Sequence, residues 1–169
     1  MIVEENGKLL LPLYRPAIER TMDRFVGEYT AKVDDKGRVV FPAAFKNCMT
    51  GSEGLKFVIR KENFSLCLEM FTSSEWDRQA EEVRAKINPA FNRKHADLWR
   101  AYMHNSATVE PDAKFGRISI PKKLMEMIGI QKEVVFYGAG YKIEIWAKEN
   151  FESGIISSDE FVSMLSDLA

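Results

Sequence analysis

The stretch VDDKGRVVFPAAF, which runs from Val33 to Phe45, sets the architecture of this chain because much of it occurs a second time. The later copy is EPDAKFGRISIPKKL, from Glu110 to Leu124. Both copies hold an acidic residue, a lysine, a Gly-Arg pair, a short strand-like run and a proline. A glycine among charged residues is typical of a turn, and a proline after an apolar run suits the start of a helix. The pattern therefore predicts strand, charged turn, strand and short helix in each of two halves.

The similarity between the halves continues downstream of the two turns. LKFVIR, at 55–60, aligns with KEVVFY, at 132–137, and LCLEMFTSSEW, at 66–76, aligns with YKIEIWAKENF, at 141–151. Apolar runs of this length separated by turn residues predict a hairpin in each half, the second turning at the Gly-Ala-Gly of 138–140. Two repeats of roughly fifty residues, a length within the range of one small structural unit, thus share one plan.

The segments between and after the repeats have a helical pattern. SSEWDRQAEEVRAKI, at 73–87, begins with a serine cap and places apolar residues at helical spacing, as does AFNRKHADLWRAYM, at 90–103. In the second repeat, PKKLMEMIG ends on Gly129, a residue typical of a helix C-terminus. The tail SSDEFVSMLSDL pairs Ser157 with Glu160 as a capping box.

These patterns predict an α+β protein that is mainly β. They divide the chain into an N-terminal extension at 1–21, a first repeat at 22–74, a helical linker at 75–104, a second repeat at 105–152 and a C-terminal helix at 153–169. The residues before Met22 follow neither repeat, so they form an extension or Met22 is the true start.

Composition predicts a cytoplasmic protein. The 169 residues are 46% hydrophobic and include no apolar run long enough to span a membrane, and the N-terminus does not resemble a signal peptide. The two cysteines form neither a disulfide scaffold nor a zinc motif. Net charge is -1, but the charges are segregated: four cations and no anions lie between Lys114 and Lys123, whereas six acids and one lysine lie between Glu144 and Ala169. Such segregation favours one basic and one acidic surface.

Candidate catalytic residues are few. His95 and His104 are nine positions apart, about half a turn out of register on a helix, so they do not chelate a metal together. Cys67 lies in a strand-like run and is interpreted as a buried structural thiol. Aromatic residues beside cations at 91–102 suggest stacking on single-stranded nucleic acid, but their helical spacing favours packing. The chain is therefore not expected to be an enzyme, and no cofactor, metal or small-molecule substrate is expected.

The duplicated charged turn, at 36–38 and 114–117, is the strongest candidate for a functional site. Each copy presents cations beside a glycine. A surface turn with an Asp-to-Arg bridge is a sufficient explanation for a single copy. Duplication favours a functional role for the turn. However, a residue that occurs in both halves is also explained if it has the same structural role in each repeat. The residues alone leave both interpretations open.

At these residues the chain resembles the MraZ family, whose members consist of two SpoVT/AbrB-type repeats. The resemblance rests on FVGEYTAKVDDKGRVVFPAAFK at 25–46, DAKFGRISIPKKLMEMIGI at 112–130, the helical insert and KIEIW at 142–146, in that order. It covers the chain from Met22 onward. It implies a double-split, swapped-hairpin β-barrel of the AbrB type, built from two pseudo-symmetric repeats with an inserted helical hairpin and a C-terminal helix.

The resemblance also implies a function. Members of the family are bacterial transcription regulators that bind short direct repeats in the promoter of the division and cell-wall gene cluster, occupy the nucleoid and assemble as ring-like homo-oligomers. Double-stranded DNA is then the partner, with no membrane involved. The implied DNA-binding residues are Lys36, Arg38, Lys114 and Arg117, and the implied supporting residues of the turns are Asp34, Gly37, Asp112 and Gly116.

The second turn departs from the family signature. Asp34 lies four residues before Arg38, whereas Asp112 lies five before Arg117, as if Phe115 were inserted. We therefore expect the second turn to bulge or its Asp-Arg pairing to be altered, and Asp34 is the better supported brace. The alternative function is a protein-interaction module of the same superfamily, antitoxin-like or scaffolding, that uses the acidic tail and has no specific DNA binding.

Overall fold

A computed structural model describes residues 24–49 and 54–169, so the extension predicted at 1–21 lies outside the described residues. The strands are β1 (Phe25–Lys32), β2 (Arg38–Val40), β3 (Phe57–Lys61), β4 (Cys67–Thr72), β5 (Ser106–Val109), β6 (Arg117–Ser119), β7 (Glu133–Gly140) and β8 (Ile143–Ala147). The helices are α1 (Ala43–Asn47), α2 (Ser73–Ala85), α3 (Arg93–Met103), α4 (Lys122–Met127), α5 (Lys148–Phe151) and α6 (Ser158–Asp167).

The chain is α+β and mainly β, as predicted. Six strands form an antiparallel sheet in the order β1-β7-β8-β4-β3-β5, while β2 and β6 form a separate two-stranded sheet, called the ribbon below. The edge strand of each repeat pairs with a strand of the other repeat: β1 pairs with β7, and β5 pairs with β3. No pairing among the described strands joins β1 to β5, so the hydrogen bonds leave an open sheet rather than a closed ring.

Two strand registers define a pseudo-two-fold axis. Glu69 of β4 lies opposite Glu144 of β8, and Val39 of β2 lies opposite Ile118 of β6. Both pairs consist of equivalent positions in the two repeats. A rotation about an axis through both pairs exchanges the repeats, which confirms the predicted pseudo-symmetric arrangement.

The core lies between the six-stranded sheet and the ribbon. Val39 and Ile118 are 1% and 0% exposed and belong to the same apolar cluster as the sheet residues. Phe41, which follows β2, packs against the sheet: its ring centroid is 5.1 Å from that of Phe57 and 6.1 Å from that of Phe136. Full burial of one such side chain stabilises the fold by about 1.5–3 kcal/mol. The inner face of the ribbon is therefore fixed by packing, and its outer face is turned toward solvent.

Local signals explain the C-terminal end of helix α4. Gly129 has a φ of +70°, its backbone N–H donates to the carbonyl of Glu126 at 3.3 Å, and the N–H of Ile130 donates to the carbonyl of Met125 at 3.0 Å. These two bonds form a Schellman motif, in which glycine takes the left-handed position. The predicted helix end at Gly129 is confirmed.

The helices α2 and α3 form a hairpin between the repeats that packs on the sheet. The cap of α2 is Thr72, whose Oγ1 accepts a hydrogen bond from the N–H of Glu75 at 3.3 Å, so the expected serine cap is wrong by one position. Trp76 and Tyr102 stack with their ring centroids 5.7 Å apart. The guanidinium of Arg60, on β3, lies 4.6 Å from the Tyr102 ring, which ties the hairpin to the sheet.

A buried ion cluster occupies the centre of the sheet. Glu69, whose side chain is 6% exposed, accepts hydrogen bonds from Arg60 Nε at 2.7 Å and from Lys142 Nζ at 3.0 Å. Lys142 also lies 3.7 Å from Glu144 and so neutralises two carboxylates that face each other across β4 and β8. Burial is the largest single influence on the pKa of Lys142 and disfavours the charged form. The hydrogen bond to Glu69 and the nearby negative charges together outweigh burial and raise the lysine pKa. The cluster lies where β4 of the first repeat pairs with β8 of the second, a boundary called the seam below.

The hairpin of the second repeat turns later than its glycines suggested. β7 continues through Gly138, and the N–H of Ala139 donates to the carbonyl of Lys142 at 2.9 Å, so the turn is made by Gly140, which has a φ of +78°, and Tyr141. Of the turn predicted at 138–140, only Gly140 lies in the turn. Gly138 instead meets strand β1, because a Cβ built there would lie only 2.5 Å from the carbonyl carbon of Phe25. This glycine permits close strand approach rather than a turn.

Helix α6 begins with the predicted capping box. Ser157 Oγ accepts a hydrogen bond from the N–H of Glu160 at 3.2 Å, and the Glu160 carboxylate accepts one from the N–H of Ser157 at 3.1 Å. The apolar side chains of this helix are exposed, namely Phe161, Val162, Met164, Leu165 and Leu168. The helix therefore presents an uncovered apolar surface.

Candidate nucleic-acid interface

The ribbon positions the candidate site. Side chains alternate between the faces of a strand, so burial of Val39 and Ile118 places their neighbours on the outer face. Arg38 of β2 lies opposite Ser119 of β6, and Val40 lies opposite Arg117. The outer face carries four side chains: Arg38, Val40, Arg117 and Ser119.

The first turn is built around one carboxylate. Asp34 Oδ1 accepts hydrogen bonds from the backbone N–H of Lys36 at 3.0 Å and of Arg38 at 2.9 Å. The N–H of Gly37 donates to the Asp34 carbonyl at 3.0 Å, and Gly37 takes a φ of +75°. An aspartate that binds nearby backbone in this way stabilises a tight turn, and glycine supplies the left-handed backbone. The sequence Asp-Asp-Lys-Gly-Arg folds into this turn for those two reasons.

The same carboxylate orients the first arginine. Arg38 Nε donates to Asp34 Oδ2 at 2.7 Å, and the arginine side chain is about one third exposed. Within the described part of the chain, neither Nη group of Arg38 makes a hydrogen bond. The guanidinium is therefore held at its inner edge while its outer edge faces solvent, where it can donate to a ligand.

The second turn preserves this brace in spite of its extra residue. Asp112 Oδ1 accepts from the N–H of Lys114 at 3.1 Å and of Phe115 at 2.6 Å, and Oδ2 accepts from Arg117 Nε at 3.1 Å. The N–H of Gly116 donates to the Asp112 carbonyl at 3.0 Å. The turn is one residue longer, but the Asp-Arg pairing is retained, so Asp112 braces Arg117 as Asp34 braces Arg38.

The inserted residue adds a feature that the sequence analysis missed. Phe115 is exposed, and its ring lies 5.0 Å from Lys114 Nζ and 4.6 Å from Arg117 Cζ. These are cation–π distances. An aromatic residue between two cations is the signal that points to this arrangement. The ring covers one side of the second cation pair and makes the two turns chemically different.

Contacts between the repeats hold the two turns in one surface. The N–H of Ile120 donates to the carbonyl of Gly37 at 3.0 Å, and the N–H of Phe41 donates to the carbonyl of Gly116 at 2.9 Å. Each turn is thus bonded to the strand end of the other repeat. The ribbon fixes the spacing of the turns, because both are anchored at its ends.

The four predicted contact residues are not equally close to one another. Arg117 Nη1 lies 4.0 Å from Asp34 Oδ2, so Asp34 lies between Arg38 and Arg117 and brings the two arginines together. Lys36 and Lys114 project from the exposed turns. The side chain of Lys36 makes no hydrogen bond or ion pair with other residues in the described ranges.

Both bracing carboxylates are stabilised in their ionised form. Hydrogen bonds from the backbone, above all from the N–H of Arg38, lower the pKa of Asp34 below its ordinary value. The N–H of Phe115 is the largest cause of the lowered pKa of Asp112. Anionic carboxylates at neutral pH keep the arginines paired and oriented.

Other candidate sites have structural explanations. His95 Nδ1 accepts a hydrogen bond from the N–H of Asn88 at 2.9 Å, and burial raises the pKa of the Cys67 thiol to about 12. Trp99 stacks on Tyr102 with centroids 5.4 Å apart. These residues serve packing and local structure. Within the described ranges, no helix is long and apolar enough to cross a bilayer, and no group of three or more His, Cys, Asp or Glu residues is arranged to hold a metal.

Comparison with known proteins assigns the family. The family model described as "MraZ protein, putative antitoxin-like" matches residues 24–97 and 102–163. The chain is 35% identical over 147 residues to "Transcriptional regulator MraZ" of Bacteroides thetaiotaomicron, covering 87% of this chain and 93% of that protein. It is 32% identical over 145 residues to the protein of the same name from Phocaeicola vulgatus, covering 86% and 93%. The same name belongs to a Lachnoclostridium phytofermentans protein, 35% identical over 85% of this chain and 96% of its own length. The family model covers well over half of the chain, and the chain belongs to the MraZ family.

Proposed function

We propose that this protein is a DNA-binding transcriptional regulator that contacts double-stranded DNA through the outer face of the ribbon and its two turns. The name shared by its relatives, transcriptional regulator, supports the general role. The observation that carries the proposal is the pair of braced arginines: Arg38 and Arg117 are each held through Nε. Among the described residues, this leaves both Nη groups of Arg38 and Nη2 of Arg117 without a hydrogen-bond partner. A two-stranded β-ribbon fits the major groove of B-DNA.

We infer different tasks for the arginines and the lysines. A guanidinium donates two parallel hydrogen bonds to O6 and N7 of guanine, and a brace on Nε lowers the entropic cost of that alignment. The arginines therefore read bases. Lys36 and Lys114 project from the turns as flexible point charges, which suits contact with phosphate.

Repeated binding compensates for a small contact surface. The chain has a net charge of -1, so general attraction to DNA is weak, and one ribbon with four cations is expected to bind non-specifically with a Kd of about 10⁻⁴ to 10⁻⁶ M. Several copies in a ring-like homo-oligomer raise avidity by about 10² to 10⁴ when short direct repeats in DNA match their spacing. The exposed apolar side chains of α6 offer a surface for contact between copies.

The proposed target is the promoter of the protein's own gene, at the head of a division and cell-wall gene cluster. The protein then acts at the nucleoid in the cytoplasm. The order of genes downstream checks this part of the proposal: a division and cell-wall cluster is expected there, and an unrelated neighbourhood would count against it.

An electrophoretic mobility-shift experiment tests the proposal. The probes are the DNA upstream of the gene and a scrambled duplex of equal length. Replacing Arg38 by Ala is expected to weaken binding to the upstream DNA by about 5- to 150-fold and binding to the scrambled duplex far less, since the lost contact discriminates between bases. Arg100→Ala, which removes the same charge from α3, serves as the matched control. Equal losses on both duplexes would show that Arg38 does not read bases.

The lysines give a second readout through salt. Lys36→Ala is expected to lower affinity uniformly for both duplexes and to reduce the slope of log Kd against log salt by about 1, because one phosphate contact is lost. An unchanged slope would place Lys36 outside the interface.

The alternative function is a protein-interaction module without specific DNA binding. The exposed apolar side chains of α6, together with the acidic residues Asp159, Glu160 and Asp167, favour it. Its test uses the same mobility-shift experiment. Failure of the assembled wild-type protein to retard either duplex at low salt would favour this alternative over the regulator.

A further inference from the structure

The outer face of the ribbon carries two side chains that the braced arginines do not explain. Val40 is 53% exposed, and Ser119 is also exposed. Neither is needed for the core, because the alternate residues Val39 and Ile118 supply the buried face. The core therefore does not explain why an apolar side chain, that of Val40, is half-exposed beside two arginines.

The two side chains occupy equivalent positions. The pseudo-two-fold axis through Val39 and Ile118 exchanges Arg38 with Arg117 and Val40 with Ser119. The ribbon is thus symmetric in its cations and asymmetric in the remaining pair. A fully symmetric ribbon presents the same chemistry in both orientations on a duplex, whereas this ribbon has methyl groups at one end and a hydroxyl at the other.

The chemistry of the major groove distinguishes these ends. The thymine C5-methyl is the apolar group that base edges present there, and apolar side chains contact it, whereas serine hydroxyls bond to polar base edges of either kind. Val40 lies directly opposite Arg117, and side chains so paired have Cβ atoms about 4.5–5.5 Å apart. That separation corresponds to about one or two base pairs along DNA.

We propose that Val40 reads a thymine C5-methyl group next to the base contacted by Arg117, and that the difference between Val40 and Ser119 sets the orientation of the chain on DNA. The inference rests on the proposed DNA-binding function and extends it to a specific group. A fixed orientation is compatible with the proposed direct repeats, because a ribbon with distinct ends binds each repeat in the same sense.

Deoxyuridine substitution tests the proposal without altering the protein. Each thymine of the upstream duplex is replaced in turn by uracil, which removes only the methyl group. Wild-type protein is expected to lose about fourfold in affinity at one position per bound repeat, the equivalent of one buried methyl group. Val40→Ala is expected to bind the thymine duplex about fourfold more weakly than wild type and to be insensitive to uracil at that same position.

A matched substitution at the equivalent position completes the experiment. Ser119→Ala leaves the uracil pattern unchanged, whereas Ser119→Val makes the two ends alike and is expected to create sensitivity at a second thymine. Val40→Ala with wild-type sensitivity at every thymine would overturn the proposal while leaving the regulator intact. Wild-type protein that binds upstream and scrambled duplexes equally would overturn the proposed function as well, so the two failures are distinguishable.

Discussion

Glu69 is the residue whose removal most directly probes the seam between the repeats. Its carboxylate lies 2.7 Å from Arg60 Nε and 3.0 Å from Lys142 Nζ. Replacing Glu69 by Ala removes both hydrogen bonds and leaves two cations in a place that water scarcely reaches, because the side chains of Arg60 and Lys142 are 11% and 12% exposed. We expect this substitution to destabilise the protein strongly.

The magnitude follows from what each cation retains. Removing one partner of a buried ion pair costs about 3–5 kcal/mol, since the other charge remains buried without compensation. Lys142 keeps Glu144 at 3.7 Å, and Arg60 keeps its contact with the Tyr102 ring at 4.6 Å. Both remaining contacts reduce the penalty, so we expect the lower end, about 3 kcal/mol. For a chain of this length, that corresponds to a fall in Tm of about 6–12 °C.

Urea denaturation followed by tryptophan fluorescence measures this loss. Glu126→Ala is the control, because it removes an exposed carboxylate 3.8 Å from Lys122 and should change the free energy of unfolding by less than about 0.5 kcal/mol. The double variant Arg60→Met/Glu69→Leu replaces the pair by apolar groups and should recover most of the loss. A Glu69→Ala variant as stable as Glu126→Ala would refute the argument that the cluster is desolvated and paired.

Three further predictions concern the turns and the core. Gly37→Ala and Gly116→Ala each place an alanine in the left-handed region, so each should lower the free energy of unfolding in urea by about 1–2 kcal/mol. The loss should be larger for Gly37→Ala, because its Cβ would lie 3.3 Å from a backbone oxygen, and equal losses would contradict this. In a Cys48→Ser variant, Cys67 should resist iodoacetamide at pH 8 until the protein unfolds, since its pKa is raised to about 12, and rapid labelling of folded protein would show that it is accessible. Folding lowers the pKa of Asp34, so the contribution of this residue to stability should be complete above the ordinary pKa of 3.8 and should be lost as the pH falls below that value. Titration of the carboxyl carbon shift by NMR in native and urea-unfolded protein checks this prediction, and equal midpoints in the two states would contradict it.

The repeat was the most informative feature of the sequence. Aligned turns and hairpins predicted an α+β chain with two pseudo-symmetric halves, because glycine, proline and aspartate mark turns in the local sequence. The pairing of β1 with β7 was not readable from local pattern, since the partners are about a hundred residues apart. The exact position of the turn at Gly140 and Tyr141 was not readable either, because Gly138 permits a close approach to β1 that the local sequence does not show.

The candidate site was predicted in part. The duplicated turns drew attention to Arg38 and Arg117, and the structure adds that both are braced through Nε. Spacing alone suggested that the second brace was altered, but a turn absorbs one extra residue when the aspartate reaches a different backbone N–H. Val40 and Ser119 were missed, because their position on the outer face depends on which alternate residues the core buries.

The exchange of strands between the repeats has an evolutionary consequence. β1 of the first half completes the hairpin of the second: Lys32 pairs with Glu133, 101 positions later in the chain. If the chain were cut at the α2–α3 hairpin, each half would lose strand partners in both sheets. The two halves would then be stable only as an intertwined dimer, and the stability of that dimer would depend on protein concentration. Fusion of such a dimer into one polypeptide makes its assembly unimolecular. It also frees the two halves to diverge, so that a valine on one arises opposite a serine on the other.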